Sequence, residues 1–166
     1  MGTEREDNIF LRGGGEMGKL IRVKDWKNTA LGDPSTWPQP LKTMVGVLLE
    51  NPFGMYIAWG KEFTQIYNDG YRPILGATKH PQALGNSTKE TFSEIWPIIG
   101  PMLDGVMEGE AVRFSDLMLP LNRNGYLENC YFDFSYSPIR LATGEVGGVL
   151  VTVIETTSKK IAENDP

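Results

Sequence analysis

Residues 126–160 read YLENCYFDFSYSPIRLATGEVGGVLVTVIETTSKK, and the way this stretch divides decides the fold. Two strand-like runs, Leu127 to Ile139 and Val146 to Ile154, are rich in aromatic and β-branched residues, the types that suit a pleated, half-buried surface. The turn residues Ala142-Thr143-Gly144-Glu145 join them, as a hairpin requires. In the first run Cys130, Phe132, Phe134 and Tyr136 share one face, because successive side chains alternate. Asn129, Asp133, Ser135 and Ser137 share the other, although Leu127 and Tyr131 blur its polarity. Val149, Val151 and Val153 make the matching apolar row of the second run. Strand character stops at Glu155-Thr156-Thr157 and gives way to the polar, helix-capable Ser158-Lys159-Lys160-Ile161-Ala162-Glu163-Asn164. A hairpin that ends in an acidic and hydroxyl cluster and feeds a helix is suited to passing strain onward.

Upstream, Asn124-Gly125 signals a turn into the first run. Ala111 to Leu121 has strand character, and Pro120 confines that strand to an edge or a bulge. From Asp69 to Glu110 the pattern is one of short helical pieces broken by Gly and Pro: Tyr71 to Leu75, then Glu90 to Trp96, then the stripe Ile99, Met102, Leu103, Val106. Before these come Phe53 to Trp59 and Phe63 to Tyr67, separated by the hairpin-sized Gly60-Lys61-Glu62. The order is therefore strand, strand, short helices, strand, strand, strand. Hairpin links predict an antiparallel sheet with its helices segregated: an α+β fold.

Ahead of this unit, Leu41, Met44, Val45, Leu48 and Leu49 recur at i, i+3, i+4, i+7, i+8, the stripe of an amphipathic helix. Pro38 and Pro40 fall at its start, where a missing N–H costs nothing, and Asn51-Pro52 ends it. That stripe has to bury against the sheet's outer face or against another subunit, and Leu41, Met44, Val45 and Leu48 are the candidate dimer contact. Met17, Leu20 and Ile21 predict a shorter helix, and Met1 to Asp7 a frayed end. Gly13-Gly14-Gly15 lacks the Gly-Lys-Ser/Thr ending of a phosphate loop and reads as a flexible joint. The expected organisation is an extension over 1–52, a domain over 53–157 and the start of a C-terminal helix over 158–166.

With 166 residues, 40% of them apolar and 22% charged, the chain has ordinary globular usage. It has neither a ~20-residue apolar run for a membrane span nor a secretory apolar core at its polar N-terminus. Its single cysteine, Cys130, excludes an internal disulfide and fits a reducing, cytoplasmic setting. A net charge of −5 argues against a nucleic-acid partner.

The order of elements, with these residues, resembles the PAS (Per-Arnt-Sim) domain, a sensor of small molecules and light in bacterial signalling proteins. Gly54-Met55-Tyr56-Ile57-Ala58-Trp59 and Tyr67-Asn68-Asp69-Gly70-Tyr71 look like its first hairpin and the entry to its helical belt. Ser137-Pro138-Ile139-Arg140 with Gly144-Glu145-Val146-Gly147-Gly148 resembles the link between its last strands, Leu141 replacing a usual acidic residue. Glu155-Thr156-Thr157 resembles its Asp-Ile-Thr end, with Glu for Asp. Gly15-Glu16-Met17-Gly18, Asp25-Trp26 and Trp37-Pro38-Gln39-Pro40-Leu41 look like the extension that precedes one PAS subgroup, found ahead of sensor histidine kinases. The resemblance implies a five-stranded antiparallel sheet in the order 2-1-5-4-3, with a belt of short helices over its concave face.

It also implies where a ligand would sit, between belt and sheet. Phe132, Phe134, Tyr136, Val151 and Val153, with Tyr67 and Trp96, are the expected wall, and a filled core is the competing reading. Glu155 would hold a basic or backbone partner while a Thr157 or Ser158 hydroxyl caps the helix that follows, coupling sheet to helix. Asn68 and Asp69 would cap the first belt turn. Cys130 reads as a buried inert thiol and His80, in Lys79-His80-Pro81, as a loop residue bonded to backbone rather than a haem ligand. The cofactor stays unknown. The expected partners are an unidentified small molecule, a second copy of the chain and an output domain such as a kinase, with no nucleic acid and no membrane contact. The alternatives are a ligand-free dimerisation module and a small α+β enzyme, which would need Asp133 or Glu128 inside the pocket.

Overall fold

The computed structural model describes residues 9–164, so the expected fraying of Met1 to Asp7 lies outside the described residues. Five strands, β1 (Gly54–Trp59), β2 (Thr64–Tyr67), β3 (Val112–Leu121), β4 (Glu128–Arg140) and β5 (Val146–Glu155), form one sheet in the order β2-β1-β5-β4-β3. Every pairing is antiparallel. The last strand thus lies at the centre. Its register sets Val151 opposite Tyr136 and Val153 opposite Phe134, which puts the valine and aromatic rows on one face. Tyr56 of β1 is also opposite Val151 and joins them.

Between β2 and β3 run α3 (Arg72–Lys79), α4 (Thr88–Thr91), a 3-10 turn at Ser93–Ile95 and α5 (Trp96–Met107). They form the belt over that face. α3 breaks at Gly76, whose φ of 59° and ψ of −152° no L side chain adopts easily. A Cβ there would fall 2.5 Å from the Arg123 carbonyl oxygen. The break lets the β3–β4 connection dock: the Thr78 N–H donates to the Arg123 carbonyl at 2.9 Å and the Ala77 N–H to Asn124 Oδ1 at 3.0 Å. The tight Asn124-Gly125 hairpin expected from sequence is for this reason a longer connection, Asn122 to Leu127. β3 is an edge strand, as Pro120 required, but its irregularity lies between Phe114 and Leu117, with Asp116 at φ 50°.

The N-terminal helices α1 (Gly15–Val23) and α2 (Gln39–Glu50) cover the opposite face at the β1–β2 edge. Every residue of β1 and β2 is buried, whereas β4 alternates. The register-paired Ile57 and Ile66, facing away from the belt, are both 0% exposed. Leu41, Val45 and Leu48 are 0% exposed within this single chain, which corrects their assignment as a dimer contact: the stripe buries on its own sheet. Met17 and Ile21 join the same core, as do Trp26 and Trp37, packed edge-to-face at 5.1 Å.

A pair of polar residues bolts this extension on. The buried Asn68 donates through Nδ2 to the carbonyls of Leu48, Asn51 and Phe53, and its Oδ1 accepts from the N–H groups of Met55 and Tyr71. Asn68 therefore caps the belt entry as expected, but Asp69 turns the other way. Its carboxylate accepts from the N–H groups of Glu16 (3.2 Å) and Met17 (2.8 Å) and caps α1, where negative charge suits the helix dipole. Gly15, with φ 60° and Asp69 Oδ2 only 2.2 Å from where a Cβ would stand, belongs to a packed turn and not to a free joint. Arg22 Nη1 closes that turn on the carbonyls of Leu11 and Gly13.

Candidate functional site

Two features lie along the central hairpin, a small cavity and a polar clamp. Sheet residues Phe132, Phe134, Tyr136, Val151 and Val153 line the cavity, as the alternation predicted. Tyr56, Leu119 and Leu121 complete the sheet side, and Tyr71, Ile74, Phe92, Ile95 and Ile99 close it from the belt. Trp96 does not reach it: Ile95 and Ile99, one helical turn apart, face inward, and Trp96 is rotated ~100° around the helix. It packs instead on Phe63, with ring centroids 6.1 Å apart. Tyr67 shares a face with Tyr56 but sits one ring behind, against Tyr71 at 5.9 Å, with its hydroxyl bonded to His80 Nδ1 at 2.7 Å. His80 is thus held by a side chain and not by backbone; burial, then Arg72, pushes its pKa down. Ile99 belongs to a stripe legible in the sequence, but which side chains of these short, broken helices meet the cavity is set by how the helices dock on the sheet.

The cavity encloses ≈ 40 Å³. That is room for about three or four waters at the ~10–15 Å³ each needs, and well short of the ~300 Å³ of an ordinary ligand pocket. Its polar lining consists of tyrosine hydroxyls. Thr88 spends its hydroxyl proton on the Phe63 carbonyl at 2.7 Å, so the Tyr56 hydroxyl, 2.5 Å from Thr88 Oγ1, is the donor of that pair. The hydroxyls of Tyr71 and Tyr136 make no hydrogen bond among the described residues. Burial pushes all three phenols well above their usual range, so they stay neutral.

The clamp stands where β5 ends. Arg123 holds Glu155 bidentately, Nη1 to Oε1 at 2.8 Å and Nη2 to Oε2 at 2.7 Å, and Nη1 also reaches the Pro73 carbonyl of α3 at 3.3 Å. The side chains are 9% and 25% exposed, respectively, and parallel charge-assisted bonds of this kind are among the strong ones. Burial disfavours the Glu155 anion, but hydrogen bonds from Arg123 and Thr157 outweigh it and hold the carboxyl below its ordinary pKa. Next to it begins α6 (Thr157–Asn164). Of the two hydroxyls expected to cap this helix, Thr157 and Ser158, that of Thr157 instead donates to Glu155 Oε2 at 2.7 Å and accepts from the Tyr131 N–H at 2.9 Å. Thr156 donates its N–H to the Tyr131 carbonyl and its hydroxyl to Asp116 Oδ1 at 2.8 Å. The β3 irregularity, β4 and the belt are all tied to the first turn of α6.

Sequence reasoning found Glu155 and Thr157 but missed Arg123, since nothing in a turn-flanking arginine names a carboxylate 32 positions away. Cys130 is fully buried, and burial raises its thiol pKa. Asp133 accepts from the Asp116 N–H on the outer face and Glu128 from Asn124; neither lines the cavity. Among the described residues no three His, Cys, Asp or Glu side chains cluster as metal ligands, and no helix is long and apolar enough to cross a membrane.

No protein-family model and no curated protein matches the sequence. Solved structures do. An RNA-binding light-oxygen-voltage receptor matches 72% of this chain with a TM-score of 0.53 at 12% identity. The phage VqmA–DPO complex matches 74% at 0.54 and 18%. The Vibrio cholerae VqmA dimer matches 72% at 0.51 and 17%. The chain spans 33%, 56% and 52% of those proteins, respectively. The sheet order, the belt and these likenesses define the class: the chain has the PAS fold.

Proposed function

We propose that this chain is the sensory module of a bacterial signalling protein, with a sensor histidine kinase as the favoured output. A small molecule between belt and sheet, or a partner contact, shifts the β4–β5 hairpin, and the shift passes through Arg123, Glu155 and Thr157 into α6. The observation that carries this reading is the bidentate Arg123–Glu155 pair. It links a belt carbonyl, the end of the central strand and the first turn of the exit helix in one bonded chain. Phe132, a cavity residue, is itself opposite Glu155 in the sheet, so movement of the wall reaches the clamp directly. A two-state element that both sites bias is what such coupling needs.

The module acts as a homodimer through the part of the outer face that the extension leaves open; the similar Vibrio cholerae VqmA structure is described as a dimer. Amide exchange on the Arg123→Met variant tests the relay. Protection of residues 157–164 should fall while the β1, β4 and β5 amides stay protected. Unchanged protection of α6 would remove the relay.

A further inference from the structure

The cavity's chemistry narrows what can occupy it, an inference that rests on the sensory reading above. Among the described residues its wall contains no Asp, Glu, Lys, Arg or His. Arg123 and Glu155 are bonded to each other, and Lys79, 5.4 Å over the ring of the wall residue Phe92, is paired with Glu94, so an entering ion would find no free counter-charge and would lose its hydration. The apolar wall offers two unspent polar groups, the Tyr71 and Tyr136 hydroxyls, which make no protein hydrogen bond among the described residues. They come from opposite sides, Tyr71 from the belt entry and Tyr136 from β4. A carbonyl oxygen, with two lone pairs, matches two O–H donors. Both open on the cavity, where a ligand carbonyl can take over the hydrogen bonds they otherwise give to water. The ≈ 40 Å³ space limits the occupant to a few heavy atoms.

We propose that the cavity takes a small uncharged ketone-like molecule whose carbonyl oxygen accepts from the Tyr71 and Tyr136 hydroxyls while its apolar body lies against Ile99, Leu119 and Val151. Such a ligand bridges belt and sheet, and its arrival pulls on the strand that carries the clamp.

The test titrates the full chain with three probes matched in size, acetone, acetate and isopropylammonium, and follows the methyl resonances of Ile74, Ile99, Leu119 and Val151. Acetone should shift them saturably and the two ions should not. Tyr71→Phe with Tyr136→Phe should weaken acetone binding roughly three- to tenfold per hydroxyl. If either ion shifts these methyls as acetone does, or if the double variant binds acetone like the parent, the ligand class is wrong and the cavity remains a binding site. If no probe moves any wall methyl, both the class and the ligand-sensing reading fall, and the relay must be driven by partner contact. Should the double variant not fold, the three-probe comparison on the parent chain still decides.

Discussion

At the scale of single residues the clamp converts a charge state into a mechanical connection. Glu155 is worth something to the fold only as an anion, because its partners are the Arg123 guanidinium and the Thr157 hydroxyl proton. Its folded pKa lies below the ordinary 4.5. A depressed carboxyl pKa contributes stability that is complete above the unfolded value and is lost as pH falls through the folded one. Docking of α6 should therefore weaken in acid, beginning below the ordinary glutamate range. Glu155→Gln should dock less firmly at neutral pH and lack this acid step. Amide exchange in α6 at a series of pH values measures both, and an equal acid slope in the two proteins would contradict the assignment.

Among the elements, Asn68 is the side chain with most hydrogen bonds across the seam between the N-terminal extension and the sheet. Asn68 satisfies three carbonyls on the α2–β1 segment and two N–H groups, of β1 and the belt entry. Asn68→Ala should cost about 3 kcal/mol, since several buried groups lose their partner at once. Asn68→Asp should cost more, because a carboxylate would face the carbonyl oxygens of Leu48, Asn51 and Phe53. Urea midpoints report both; losses within ~0.5 kcal/mol, the level of an ordinary surface change, would show that the seam is held otherwise. The elements themselves were largely legible. The apolar stripe through Leu41 and Leu49 gave α2, and aromatic and β-branched runs gave all five strands, because periods of 3.6 and 2 survive in the order of residues. The β3–β4 connection was not legible. Asn124-Gly125 favours a two-residue turn locally, and only docking on α3 at Gly76 overrides it.

For the whole molecule, the consequential fact is which faces are covered. The belt closes one face of the sheet and the extension closes the other at β1 and β2, leaving Phe53 and Ile154 66% and 53% exposed beside an open groove that includes Ser135 and Thr152. Neighbouring large apolar side chains left in solvent mark contact surfaces. Phe53→Asp with Ile154→Asp should lower the sedimenting mass from dimer to monomer without altering the fold's circular dichroism. A parent chain that sediments as a monomer at high concentration, or a variant that stays dimeric, would place the contact elsewhere or nowhere. Residue order by itself determined the strands, the helices, the aromatic and valine rows and the acidic–hydroxyl exit, since each is a local pattern that period and turn chemistry encode. Tertiary structure alone decided that the α2 stripe lies on its own sheet, that Asp69 caps a helix 53 positions away, that Arg123 grips Glu155, and that Tyr71 and Tyr136 face one cavity. Those facts depend on which distant surfaces exclude water together, and partners so far apart in the chain leave no local trace of each other.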